Sequence, residues 1–134
     1  MELNNTSCVQ VLLVEDNNVN KVVAKAMLKK LGLSVDVASN GREALEMLNR
    51  SVENIIYSII FMDCQMPEMD GFETTRQIRS GTAGDRYRTI PIVAMTASAF
   101  QEDQRKCMQS GMDDYLAKPI KKNTLMAILE KWLR

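Results

Sequence analysis

An α/β fold is what this sequence predicts: a doubly wound, five-stranded parallel sheet of (βα)5 type. Three observations carry it. Apolar strand-like runs alternate with amphipathic helix-like stretches five times over. Two of the runs, Val9–Val14 and Ile55–Met62, are near-continuously apolar, as strands covered on both faces must be. Polar residues then stand at four different run ends: Glu15-Asp16, Asp63, Thr96 and Lys118. Such alternation implies parallel strands joined by right-handed crossovers.

The strands are predicted over 9–14, 34–38, 56–62, 90–95 and 113–117. The second, Ser34–Ala38, alternates more than its neighbours and suits a less buried position. Helices are predicted over 18–31, 41–50, 71–80, 100–110 and 121–133. Gly32 and Gly111 fall where C-terminal caps belong, and Asn40 suits an N-cap. Gly81–Thr89 is the longest polar connection and reads as a solvated surface loop, with Arg86, Tyr87 and Arg88 its one suggestive cluster. In the last helix Trp132, Leu125, Ile128 and Leu129 read as core packing, with a dimer surface as the alternative. There is no repeat, low-complexity segment or linker, so a single domain over 1–134, with its core at about 9–133, is expected.

Composition narrows the chemistry. Apolar residues make up 46% and charged residues 25% of the 134, as in an ordinary globular protein. The 17 acidic and 17 basic residues cancel, leaving no broad positive field for nucleic acid or an anionic membrane. No apolar stretch approaches the roughly 20 residues that span a bilayer, and Met1–Ser7 lacks the apolar core of a signal peptide. A cytoplasmic setting is therefore expected, with Cys8, Cys64 and Cys107 as reduced thiols: their number is odd and no CxxC occurs. Histidine is absent, which removes His-based catalysis and the usual zinc sites. A bound metal must then be held by oxygen, which points to a magnesium-like ion. The ten methionines read as core filler.

Open parallel sheets bind ligands beyond the carboxyl ends of their strands, where the strand order reverses. In a 2-1-3-4-5 order that point lies between the first and third strands, which carry Glu15-Asp16 and Asp63. Thr96 and Lys118 end the fourth and fifth strands to one side. Residues far apart in sequence would thus share one pocket. Three crowded carboxylates repel each other unless a cation joins them. Mg²⁺ suits such a site, with few protein ligands and a phosphate oxygen completing its shell. An aspartate there can attack phosphorus, while the Lys118 ammonium and Thr96 hydroxyl offset charge on the transferring group. Each residue taken alone also fits a solvated loop or a cap; Asp16, for one, suits the N-cap of a helix starting near Asn18.

The chain closely resembles the receiver domain of two-component response regulators. The resemblance runs from Val9 to about Leu133. It rests on Val11-Leu12-Leu13-Val14-Glu15-Asp16-Asn17, Met62-Asp63-Cys64-Gln65-Met66-Pro67-Glu68-Met69-Asp70-Gly71, Ala94-Met95-Thr96-Ala97 and Gly111-Met112-Asp113-Asp114-Tyr115-Leu116-Ala117-Lys118-Pro119. The runs around Asn17-Asn18-Val19-Asn20 and Met66–Gly71 are most like receivers attached to hybrid sensor histidine kinases. The resemblance implies a flavodoxin-like fold and a phosphorelay role. Asp63 would accept a phosphoryl group from a phosphohistidine. Mg²⁺, for which Mn²⁺ can substitute, would be held by Asp16, Asp63 and the Gln65 backbone carbonyl, with Glu15 acting mainly through water. Lys118 would pair with phosphoryl oxygens, Thr96 would swing to bond one of them, and Tyr115 would follow as a coupled aromatic switch. A cis Lys118–Pro119 bond is also implied. The domain would catalyse only its own phosphorylation and dephosphorylation.

The first helix carries more apolar residues than one core face requires. At about 100° per residue, Val23, Ala24, Met27, Leu28 and Leu31 form the arc facing the sheet. Val19, Val22 and Ala26 form a second strip. It either docks a histidine phosphotransfer domain or sensor kinase, or is the shoulder of a wide core face. Two other functions compete. A Mg²⁺-dependent aspartyl-phosphate phosphatase of the dehalogenase type needs a DxDx(T/V) motif after its first strand, and Glu15-Asp16-Asn17 stands there instead. A degenerate receiver acting only as a binding module would lack Asp63 or Lys118, and both are present. Neither GxxxxGK(S/T) nor GxGxxG occurs. A monomer is expected, with dimerisation through the last helix the alternative.

Overall fold

Alternation along the strands lets one sheet serve two helical layers. The computed structural model describes residues 10–51, 56–64, 70–96 and 101–133. Its elements run β1 (Gln10–Val14), α1 (Asn18–Lys30), β2 (Ser34–Ala38), α2 (Gly41–Arg50), β3 (Tyr57–Asp63), α3 (Gly71–Ser80), β4 (Ile92–Thr96), α4 (Gln101–Ser110), β5 (Asp114–Ala117) and α5 (Lys122–Trp132). All neighbouring strands pair in parallel, in the order β2-β1-β3-β4-β5. Both the alternation and the predicted strand order hold.

Odd and even positions of the strands feed different cores. Leu12, Val14, Ile60, Met62 and Ala94 face a layer that includes Ala44, Leu45 and Leu48 of α2, Ile78 of α3 and Cys107 of α4. Val11, Leu13, Ile59, Phe61, Val93 and Met95 face Ala24 and Leu28 of α1 and Leu125, Ile128 and Leu129 of α5. Each fully buried Leu or Ile contributes about 1.5–3 kcal/mol by leaving water, so the sheet is clamped from both sides. The edge strand β2 keeps the more mixed pattern its alternation predicts.

The helix starts follow local chemistry. Asn17, Asn40 and Asp70 accept backbone N–H bonds from Asn20, Glu43 and Glu73 at 3.0, 2.8 and 2.8 Å. The cap of α1 is therefore Asn17 and not Asp16, because only the residue directly before the helix points its side chain at the free N–H groups.

Two further expectations are corrected. Val23 is 46% exposed, so the inner arc of α1 narrows to Ala24 and Leu28, with Met27 and Leu31 partly buried. The 81–89 connection is not simply solvated: Asp85–Tyr87 form a turn of 3-10 helix, and Ala83 and Tyr87 are buried. The Tyr87 ring packs into the α2–α3 layer, and its hydroxyl meets Ser51 Oγ at 2.6 Å and the Tyr57 N–H at 3.3 Å. A large aromatic surface gains more from burial than its polar neighbours lose.

At the sheet end away from Asp63, Arg79 of α3 ties several segments together. Its guanidinium donates to the carbonyls of Gly111, Arg88 and Ile90 at 2.8, 3.0 and 2.7 Å and to Asp113 Oδ2 at 2.7 Å. Asp113 Oδ2 also accepts the Ile92 N–H at 2.9 Å. Gly111, just past α4, has φ +110, and a Cβ there would lie 2.9 Å from Arg79 Cγ. Two constraints thus demand glycine: backbone angle and close approach.

Candidate functional site

The backbone ladder continues past the strand ends and sets the site. Glu15 N–H bonds the Ala38 carbonyl at 3.0 Å, Cys64 N–H the Met95 carbonyl at 3.2 Å, and Lys118 N–H the Thr96 carbonyl at 2.8 Å. Val14 pairs with Met62, so Glu15 and Asp63 come out level on adjacent strands. Asp63 pairs with Met95 and Thr96 with Ala117, which puts Thr96 and Lys118 slightly farther along. Gly71 opens α3 beneath this rim. A Cβ there would collide with the Asp63 carbonyl oxygen and come 3.0 Å from Met62 Cγ.

Glu15, Asp63, Thr96 and Lys118 line one cleft of about 200 Å³, together with Asp16, Asn17, Asn20, Cys64 and Met95. Glu15, Asp63 and Thr96 are buried, Asp16 is exposed, and Lys118 lies between. Lys118 Nζ sits 3.0 Å from Glu15 Oε1 and 3.1 Å from Asp63 Oδ1. Glu15 Oε2 also accepts the Asn17 N–H at 3.2 Å.

Charge balance follows. Burial alone would raise the Glu15 carboxyl, but hydrogen bonds from the Lys118 ammonium and the Asn17 backbone N–H help hold it below its ordinary range. Burial alone would lower the Lys118 ammonium, but its bonds and charge attraction to Glu15 and Asp63 hold it above. Carboxylate oxygens of Glu15, Asp16 and Asp63 all fall within 4.8 Å of one another. Three hard oxygen donors with one open side suit Mg²⁺ better than softer metals.

The sequence that folds into this arrangement matches a known family. The response regulator receiver domain model matches residues 11–130. This chain belongs to that family. Among its relatives, hybrid signal transduction histidine kinase L of Dictyostelium discoideum is 41% identical over 123 residues, covering 92% of this chain and 7% of that kinase. The receiver domain of the sensor histidine kinase PA1611 from Pseudomonas aeruginosa, solved with a magnesium ion in its active-site cleft, superimposes with TM-score 0.82 at 43% identity, over 93% and 97% of the two chains. The receiver domain of Saccharomyces cerevisiae Ssk1, solved with the histidine phosphotransfer protein Ypd1, gives TM-score 0.82 at 34% identity, over 95% and 90%.

Within this receiver domain, Glu15, Asp16, Asp63, Thr96 and Lys118 are brought together. Gln65 lies outside the described residues. Tyr115 stands on β5, 39% exposed, and the Lys118–Pro119 bond is cis. Val19, Val22 and Ala26 are exposed on α1, the two valines at 70% and 69%. Trp132 packs against the α1–α5 core and donates its indole N–H to Asp114 Oδ2 at 3.0 Å. Residue-type reasoning missed Asn20 and Cys64 as lining residues, though both lie inside the motifs that carry the family resemblance. No helix among the described residues is long and apolar enough to cross a membrane.

Proposed function

We propose that this domain takes a phosphoryl group from a phosphohistidine onto Asp63 in a two-component phosphorelay. The observation that carries this is the Lys118 ammonium between Glu15 Oε1 and Asp63 Oδ1, at 3.0 and 3.1 Å. A carboxylate oxygen of Asp63 attacks phosphorus as the P–N bond breaks, and the imidazole nitrogen leaves with the electron pair. Lys118 and the Thr96 hydroxyl hold the equatorial oxygens as charge shifts on them. Asp16, Asp63 and the Gln65 carbonyl would hold Mg²⁺, or Mn²⁺ in its place, with Glu15 acting on the metal mainly through water. The metal supplies positive charge that screens the carboxylates from the incoming phosphoryl group.

Phosphorylation adds about −1.5 to −2 of charge and three acceptor oxygens. Thr96 and Lys118 gain partners, and Tyr115 turns with Thr96, biasing the face formed by α4, β5 and α5. The exposed Val19, Val22 and Ala26, joined by Val23, form the docking strip for a histidine phosphotransfer domain or sensor kinase. The domain works in the cytoplasm as a monomer and needs no nucleic acid. It acts on no other substrate, catalysing only its own phosphorylation and dephosphorylation.

Incubation with Mg²⁺ and acetyl phosphate, followed by intact mass, tests the reading. A single phosphoryl adduct, lost in Asp63→Asn, is expected. An unmodified mass at saturating donor rejects it in favour of a binding module.

A further inference from the structure

The sulfurs of Cys64 and Cys107 stand 3.7 Å apart, with both side chains buried. Cys64 follows Asp63 at the end of β3 and lines the cleft, while Cys107 lies on the inner side of α4. The chemistry above uses neither. A disulfide is about 2.05 Å long, so the sulfurs stand about 1.7 Å short of bonding. The bond would link residues 43 apart in sequence and fasten α4 to the neighbour of the phosphoacceptor.

We propose that Cys64 and Cys107 form a reversible disulfide on exposure to hydrogen peroxide, and that this bridge slows phosphoryl uptake at Asp63. Peroxide, a molecule small enough for the cleft, meets Cys64 first. The Cys64 sulfur attacks one peroxide oxygen, the O–O bond breaks, and a sulfenic acid and water form. The Cys107 sulfur then attacks the Cys64 sulfur, the S–O bond breaks, and a second water leaves. Two thiols lose two electrons and two hydrogens, and one peroxide becomes two waters. Cys64 is only 4% exposed, so the first step is slow. Once sulfenic acid forms, its partner is already in contact, which favours the bridge over further oxidation.

The functional consequence rests on the phosphoacceptor reading; the bridge does not. A bridge that fixes α4 in one position slows any phosphoryl transfer whose transition state requires α4 to move, because it removes stabilisation available only in that moved arrangement.

The test uses the full chain, reduced or treated with millimolar peroxide, trapped with N-ethylmaleimide under denaturing conditions and mapped by non-reducing peptide mass. The expected product joins the Cys64 and Cys107 peptides with loss of two hydrogens, and dithiothreitol reverses it. Oxidised protein should take up phosphate from acetyl phosphate about fivefold or more slowly, which corresponds to about 1 kcal/mol or more on the barrier, and reduction should restore the rate. Cys107→Ala should give no linked peptide pair in peroxide. A Cys8 bridge, irreversible sulfinic acid, untouched thiols, or a bridged protein as fast as the reduced one each overturns the proposal. If the reduced protein takes up no phosphoryl group, the functional half falls, and the peptide map still decides the bridge.

Discussion

Lys118 and Glu15 are joined at 3.0 Å although their strands, β5 and β1, are separated in the sheet by β4 and β3. The lysine reaches back across the rim and contacts Asp63 on the way. Without it, two buried carboxylates face each other. Lys118→Met should therefore cost about 1–3 kcal/mol of stability without divalent cation, measured by urea unfolding, and less at saturating Mg²⁺. Phosphoryl uptake from acetyl phosphate should fall about 10²–10³-fold, as when one charge-stabilising donor is lost elsewhere.

Asp16 is exposed and caps no helix, so its value lies in the metal. Asp16→Asn should leave the Tm in chelator unchanged or slightly higher, because one repulsive charge is gone. Mg²⁺ at about 100 times its Kd should stabilise the unaltered protein by about 2.7 kcal/mol and the variant hardly at all. An equal Mg²⁺-induced rise in both proteins would remove Asp16 from the ligand set.

A pH dependence follows from Asp114. Burial alone would raise its carboxyl, but bonds from the Trp132 indole, the Tyr115 backbone and Lys131 hold it below the usual carboxylate range. Its folded value is thus lower than its unfolded value of about 3.9. The stability it contributes is complete above the unfolded value and disappears as pH falls through the folded one. Asp114→Asn should be less stable by about 1 kcal/mol at pH 7, and the gap should close as pH falls from the unfolded value through the folded one. Trp132 fluorescence against denaturant at several pH values measures it.

Val22 is 69% exposed. Val22→Glu should change stability by less than about 0.5 kcal/mol. Acetyl phosphate should phosphorylate the variant at the unaltered rate, while transfer from a phosphorylated histidine phosphotransfer domain should slow at least about tenfold. Equal transfer rates would return this strip to plain surface.

Gly71 lacks room rather than an unusual backbone angle. Gly71→Ala should lose about 1–3 kcal/mol by overpacking and should weaken Mg²⁺ binding, since the Asp63 backbone must give way. Gly81→Ala, strained at φ +98 but far from Asp63, should destabilise the fold and leave Mg²⁺ affinity unchanged. Isothermal titration separates the two.

Much of this was legible because strand burial and strand ends leave strong marks in residue type. The continuous apolar runs at β1 and β3 announced central strands, and the acids behind them announced the switch point. Tyr87 was hidden because charged neighbours mask one deeply buried ring. Val23 fell on the wrong side of an arc boundary that periodicity places only to within a residue. Which acid Lys118 would choose depends on strand register, and Arg79 bonds chiefly backbone carbonyls, which every residue carries and no pattern flags.

The carbonyls of Gly111 and Ile90 and the carboxylate of Asp113 moor the far ends of α4, β4 and β5 to α3 through one guanidinium. With that end held, any displacement of α4 begun at Thr96 or Lys118 is expected to be smallest beside Arg79 and to grow toward the cleft, as a gangway moves about its hinge.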